Sequence, residues 1–129
     1  MGMFSNASQV VYAASAWVFG GDGTLEGEEQ RRIKNAINRD KTPWSVDDDD
    51  IKFVISLWKG NDFSVSDITD AIEFEFGFSL EEKYLLYSCI CIAMNGLDQG
   101  DNSEDGWGRA NEFLSWMNID LDDYNRWAK

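Results

Sequence analysis

Residues 7–21 read Ala7-Ser8-Gln9-Val10-Val11-Tyr12-Ala13-Ala14-Ser15-Ala16-Trp17-Val18-Phe19-Gly20-Gly21. Val10, Val11, Ala14, Trp17 and Val18 recur at the spacing of one helical face, and the glycine pair closes the run. The spacing predicts a helix over Ala7–Phe19. Residues 1–21 hold no Asp, Glu, Lys or Arg. The apolar run is shorter than the roughly 20 residues a bilayer requires. A secretory leader would open with positive charge, which this segment lacks. A buried first helix is therefore the expectation.

Outward from that segment the helical period recurs, and long β-type alternation is absent. A second helix is expected from Leu25 to Asn38. Glu26, Glu28 and Glu29 crowd its start and Arg31, Arg32 and Lys34 follow, an order that suits the helix dipole. Ile33, Ala36 and Ile37 form its inward stripe. Thr42-Pro43-Trp44-Ser45 breaks the chain, and Ser45 reads as the N-cap of a third helix. The run Asp47–Asp50 resembles a metal site. It is read as helix-start electrostatics, because Ile51, Val54, Ile55 and Trp58 follow at i, i+3, i+4 and i+7. Ser64 or Ser66 caps a fourth helix with Ile68, Ile72 and Phe76 inward and Gly77 at its end. Ser79 and Glu82 form a capping box for a fifth, the most apolar, which ends near Asn95-Gly96 and is expected to be the central one. A polar loop over 97–105 leads to a sixth helix, Trp107 to Met117, with Ala110, Phe113, Leu114 and Met117 apolar. Asp120 caps a last helix from Leu121 to Trp127. The expectation is all-α: about seven helices in one compact bundle, a single domain over residues 1–129.

Composition narrows the chemistry. A chain of 129 residues supports one core, and six Trp, eight Phe and four Tyr argue against disorder. Twenty-four acids against 11 bases give a net charge of −13. Residues 1–64 hold 10 acids and 7 bases, and residues 65–129 hold 14 and 4. This balance argues against direct binding to nucleic-acid phosphates or anionic lipid. The absence of His removes Ser-His-Asp and Cys-His nucleophiles, His-ligated zinc and the usual base near neutral pH. Two Cys cannot form a four-thiolate zinc site. On a helix Cys89 and Cys91 point about 200° apart, so they read as reduced core thiols of a cytoplasmic protein. Trp44, Trp58, Trp107, Trp116 and Trp127 read as core packing rather than a ligand groove.

Two segments share a spacing. Asp22-Gly23 is followed by five residues and Glu29, and Asp105-Gly106 by five residues and Glu112. An EF-hand loop places oxygen ligands at positions one, three and five, Gly at six and Glu at twelve. Asp101, Ser103, Asp105, Gly106 and Glu112 fit that series, although Gly108 stands where an apolar residue belongs. In the first segment Val18 and Gly20 occupy the first two ligand positions, so no EF-hand pair follows. A solvated acidic loop with helix caps is the alternative for the second segment.

These residues resemble the TerB-like family of tellurite-resistance proteins. The likeness rests on an apolar helix followed by Asp-Gly-x-Leu and a closing Glu, here Val18-Phe19-Gly20-Gly21-Asp22-Gly23-Thr24-Leu25-Glu26-Gly27-Glu28-Glu29. Its counterpart in the second half is Ile92-Ala93-Met94-Asn95-Gly96-Leu97, and Met117 to Tyr124 resembles the family's close. Asn95 stands where the pattern has Asp. The second acidic cluster then draws either on Asp98, Asp101 and Glu104 or on Asp105 and Glu112. The resemblance implies an all-helical domain with pseudo-twofold halves, an acidic surface proposed to hold divalent metal, and a place in tellurite and stress-response systems without enzymatic activity.

Together these readings point to a non-enzymatic acidic helical interaction module with a protein partner. Asp22, Glu26, Glu29, Asp98, Asp101, Ser103, Asp105 and Glu112 are the candidate ligands of calcium or another hard divalent cation, which would relieve repulsion between close carboxylates. The competing reading is a small nucleic-acid mimic of the phage type that blocks a basic protein. Paired carboxylates could also support hydrolysis, but no pair stands out with acid and base roles.

Overall fold

The computed structural model describes residues 3–20, 27–39, 42–60, 64–95 and 103–128, the side chains at 20, 95 and 103–107 excepted. Seven α-helices account for most of them: α1 (Ala7–Gly20), α2 (Gly27–Ile37), α3 (Asp48–Lys59), α4 (Val65–Asp70), α5 (Leu80–Asn95), α6 (Ser103–Trp116) and α7 (Leu121–Ala128). A π-helical turn, Ala71–Glu75, extends α4. No strand occurs among the described residues.

The middle of the bundle is α1. It packs against α2, α3, α4, α5 and α6, and every side chain from Val10 to Ala16 is buried. This corrects the expectation that the fifth helix is central. A helix with no charge has no face that favours water, so it is enclosed on all sides. By contrast α5 begins with Glu81, Glu82 and Lys83 and leaves Leu80 and Ile92 exposed. Within α1 the buried side chains of Ser15 and Gln9 are both satisfied. The Ser15 hydroxyl donates back to the Val11 carbonyl at 3.0 Å, and Gln9 is held by Ser5 and Asp50.

Helix ends follow local chemistry, with two departures. The Ser79–Glu82 box forms as expected: Ser79 N–H donates to Glu82 at 2.9 Å and Glu82 N–H to Ser79 Oγ at 3.2 Å. Gly77, at φ +59°, closes the fourth helical segment in a conformation that favours glycine. Asn118, also at φ 59°, closes α6, a position Asn tolerates. The first departure is at α3, whose N-cap is Asp47 rather than Ser45. Asp47 accepts from the Asp50 N–H at 2.9 Å and Asp50 accepts from the Asp47 N–H at 3.2 Å. Ser45 cannot take that role because its own N–H is tied to Ser8 Oγ and that of Val46 to Asn38, which keeps the chain extended to position 47. The second departure is at α6, which starts at Ser103, four residues before the expected Trp107. Glu104 and Asp105 in a first turn favour helix and offset part of the cost of Gly106 and Gly108, about 1 kcal/mol each.

One long-range cap ties the halves together. Arg109 of α6 donates from Nε to the Val18 carbonyl at 2.7 Å and from Nη2 to the Phe19 carbonyl at 3.0 Å. These are orphan carbonyls at the end of α1, and a cation there complements the negative end of the helix dipole.

Candidate functional site

Of the eight acidic-loop residues, Asp22, Glu26, Asp98 and Asp101 lie outside the described residues, and Ser103 and Asp105 are described in backbone alone. Glu29 lies half-buried on α2 and Glu112 exposed on α6. Among the described residues no three His, Cys, Asp or Glu side chains gather closely enough to hold a metal ion. The EF-hand comparison meets a specific obstacle. Its ligands come from a loop, whereas positions 103–112 form continuous helix. Positions 105 and 112 therefore stand two turns apart, about 10 Å along one axis.

The tryptophans divide. Trp44 and Trp58 are buried, and Trp44 stacks on Phe78 with ring centroids 5.5 Å apart, as core packing requires. Trp116 and Trp127 are partly exposed instead. Trp127 lies against Tyr84 and Tyr124, with Tyr84 5.3 Å from it, and Tyr124 meets Tyr87 edge-on at 4.8 Å, so α7 is pinned to α5 by aromatic rings. The Trp107 side chain lies outside the described residues.

The connection between α4 and α5 carries an unexpected apolar surface. Phe74, in the π-helical turn, is 84% exposed and Leu80 is 56% exposed. Position 74 lies on the far side of the π-helical turn from buried Ile72, so the register that buries Ile68 and Ile72 turns Phe74 outward. Asp70, Glu75 and Glu81 are exposed on the same stretch, and Glu73 pairs with Lys83 across it. The signal was present in sequence as Glu73-Phe74-Glu75, an aromatic residue set between acids on an outer face.

A second feature was missed for a different reason. Arg31, Arg32, Asn35, Ala36 and Arg39 from α2 and its end, with Ile92 and Ala93 from α5, line a shallow pocket of about 270 Å³. Among the described residues its lining holds three guanidinium groups and no carboxylate. Glu28, just outside, pairs with Arg31 at 2.6 Å and lies 3.3 Å from Arg32 Nε, and the bond from Arg31 holds the Glu28 carboxyl below its ordinary value. Arg39 donates from Nη2 to Ser88 Oγ at 2.8 Å, while its Nε and Nη1 are buried without a hydrogen-bond partner. Leaving buried donors unmade costs about 1–3 kcal/mol each, so such an arrangement calls for an acceptor. The sequence signal is that five of the 11 bases fall within residues 31–41 of a strongly acidic chain. Read one helix at a time, Arg31, Arg32 and Lys34 look like dipole compensation. Only the packing of α5 on α2 makes a concave cluster of them.

The surroundings of the two thiols disfavour the thiolate. Cys89 and Cys91 are both free. Burial pushes the Cys89 thiol up to about 11, with Arg39 partly opposing the shift, and burial raises Cys91 as well. No helix among the described residues is long and apolar enough to cross a membrane. Compared with known protein families, with curated proteins and with solved structures, the chain matches none.

Proposed function

We propose that this chain is a non-enzymatic, acidic helical interaction module, and that the connection from Asp70 to Glu81 is the surface that meets its protein partner. The observation that carries this reading is Phe74, 84% exposed and flanked by exposed acids. An exposed aromatic side chain contributes little to folding, yet it offers apolar area to a partner. The charge around it selects a partner whose apolar pocket is ringed by Lys or Arg. The TerB-like resemblance over residues 18–29 and the absence of His support a binding role over a catalytic one. A separable part of the reading is a hard divalent cation held by the acids of the two Asp-Gly segments, supported by their spacing in the sequence.

The test is a titration of labelled protein with an amphipathic Leu/Lys helical peptide, followed by backbone NMR. Shifts should concentrate at residues 70–81, and Phe74→Ala should weaken binding about tenfold, as expected of an aromatic anchor. The same variant should change folding stability by less than about 0.5 kcal/mol, because the position is on the surface. Binding spread over the acidic surface, strongly salt-dependent and indifferent to Phe74→Ala, would overturn this reading and favour the nucleic-acid mimic.

A further inference from the structure

We propose that the arginine pocket between α2 and α5 is a binding site for a small organic phosphate. The inference is independent of the partner surface at Phe74, which lies on other elements.

Three observations converge on it. The first is charge: among the described residues the lining gathers three guanidinium groups, with the Glu28 carboxylate beside two of them, in a chain of net charge −13. An acidic protein gains no general advantage from concentrating cations in one concavity, and Lys34, on the same helix, is paired elsewhere with Asp48 at 3.1 Å. The second is unused donor capacity. Ser88 fixes the Arg39 guanidinium through Nη2, and its buried Nε and Nη1 have no acceptor. The side chain is thus positioned before any ligand arrives, which lowers the ordering cost of binding. The third is shape. Ala36, Ala93 and the half-exposed Ile92 give the pocket an apolar side, and a volume of about 270 Å³ holds a phosphate with a short organic body.

Phosphate fits better than carboxylate. Guanidinium forks match phosphate oxygens, and a phosphate monoester carries about two negative charges near neutral pH, enough to meet more than one guanidinium. A carboxylate brings one charge and two acceptor oxygens, which leaves part of the cluster unanswered. The binding step is non-covalent, so recognition needs no other group than these side chains.

The probe is phenyl phosphate, titrated into the whole chain at low ionic strength with NMR detection of backbone amides and the Arg39 Nε–H. Saturable shifts should appear at residues 31–39 and 88–93, and at the Arg39 side chain. Affinity should fall as pH drops through about 6, where the phosphate loses its second charge. Benzoate, with one charge, should bind about tenfold more weakly. Arg39→Gln should weaken phenyl phosphate about tenfold. Ile92→Asp, at a position 47% exposed, places a carboxylate at the rim and should weaken it by a similar factor. Inorganic phosphate should bind at the same residues and more weakly, for want of the apolar contact. Absence of saturable shifts, or an affinity unchanged in Ile92→Asp, would overturn the proposal, and the second result decides even if Arg39→Gln does not fold.

Discussion

Tyr12 heads the fully buried side chains of the core by size, and its hydroxyl has no hydrogen-bond partner. Burial alone drives its ionisation far above the ordinary tyrosine range, so the group is neutral at every accessible pH. The ring earns its place by area, whereas the hydroxyl was taken out of water without recompense. Tyr12→Phe keeps the ring and removes the orphan polar atom. It should therefore stabilise the protein by about 1 kcal/mol, read as a higher urea midpoint at unchanged slope. A loss of stability would mean that the hydroxyl is satisfied in solution. The position was legible as core from its neighbours in a charge-free run. The orphaned hydroxyl was not, because satisfaction depends on which atoms of α2 to α6 surround it.

At the scale of elements, the N-terminus of α3 shows what local sequence could and could not tell. Asp47–Asp50 were read as helix-start electrostatics, and Asp47 and Asp50 do form a capping box. Unforeseen was the reach of Asp50, which accepts from Gln9 Nε2 at 2.9 Å and Asn6 Nδ2 at 3.3 Å and so binds the start of α3 to the start of α1. Burial pushes its carboxyl up, but the bonds from Gln9, Asp47 and Asn6 outweigh burial and hold it below the ordinary value. A folded-state value below the unfolded one gives stability that is present above the unfolded value, about 3.9, and is lost as pH falls through the folded one. Asp50→Asn should cost about 1 kcal/mol at neutral pH. The gap from wild type should narrow in chemical denaturation as pH falls below about 3.9 and through the lower folded-state value, where Asp50 takes up its proton. A gap independent of pH would assign the effect to shape rather than charge. The Ser79–Glu82 box was readable outright because both partners lie within one turn. Asp50 with Gln9, Arg109 with the end of α1, and Ser45 with Ser8 pair residues far apart in sequence, so no window along the chain contains them.

For the whole molecule the question is how a net charge of −13 is carried. Some of it is absorbed where the sequence suggested, by caps at Asp47, Asp50, Glu82 and Asp120, the last of which accepts from the Asp122 N–H at 2.7 Å. Some is paired, as in Glu28 with Arg31 and Glu73 with Lys83. Most of the described cations are drawn off to structural duties or to the pocket between α2 and α5, which leaves the acidic surface under mutual repulsion. Screening that repulsion should stabilise the fold, so the melting temperature should rise on going from about 0.01 M to about 0.15 M NaCl, where the Debye length shrinks from about 30 to about 8 Å. Divalent ions separate two causes. If they act only by screening, calcium, magnesium and manganese chlorides should match NaCl at equal ionic strength. If the Asp-Gly segments hold a cation, calcium should add several degrees beyond that match, the gain should saturate, and chelator should reverse it. Replacing Glu29 and Glu112, the two described members of the candidate set, with Gln should then erase the excess and leave the NaCl response in place. Equal melting temperatures in calcium and NaCl would remove the metal from the proposed function without touching the surface at Phe74 or the pocket around Arg39, because neither depends on an acid of those segments.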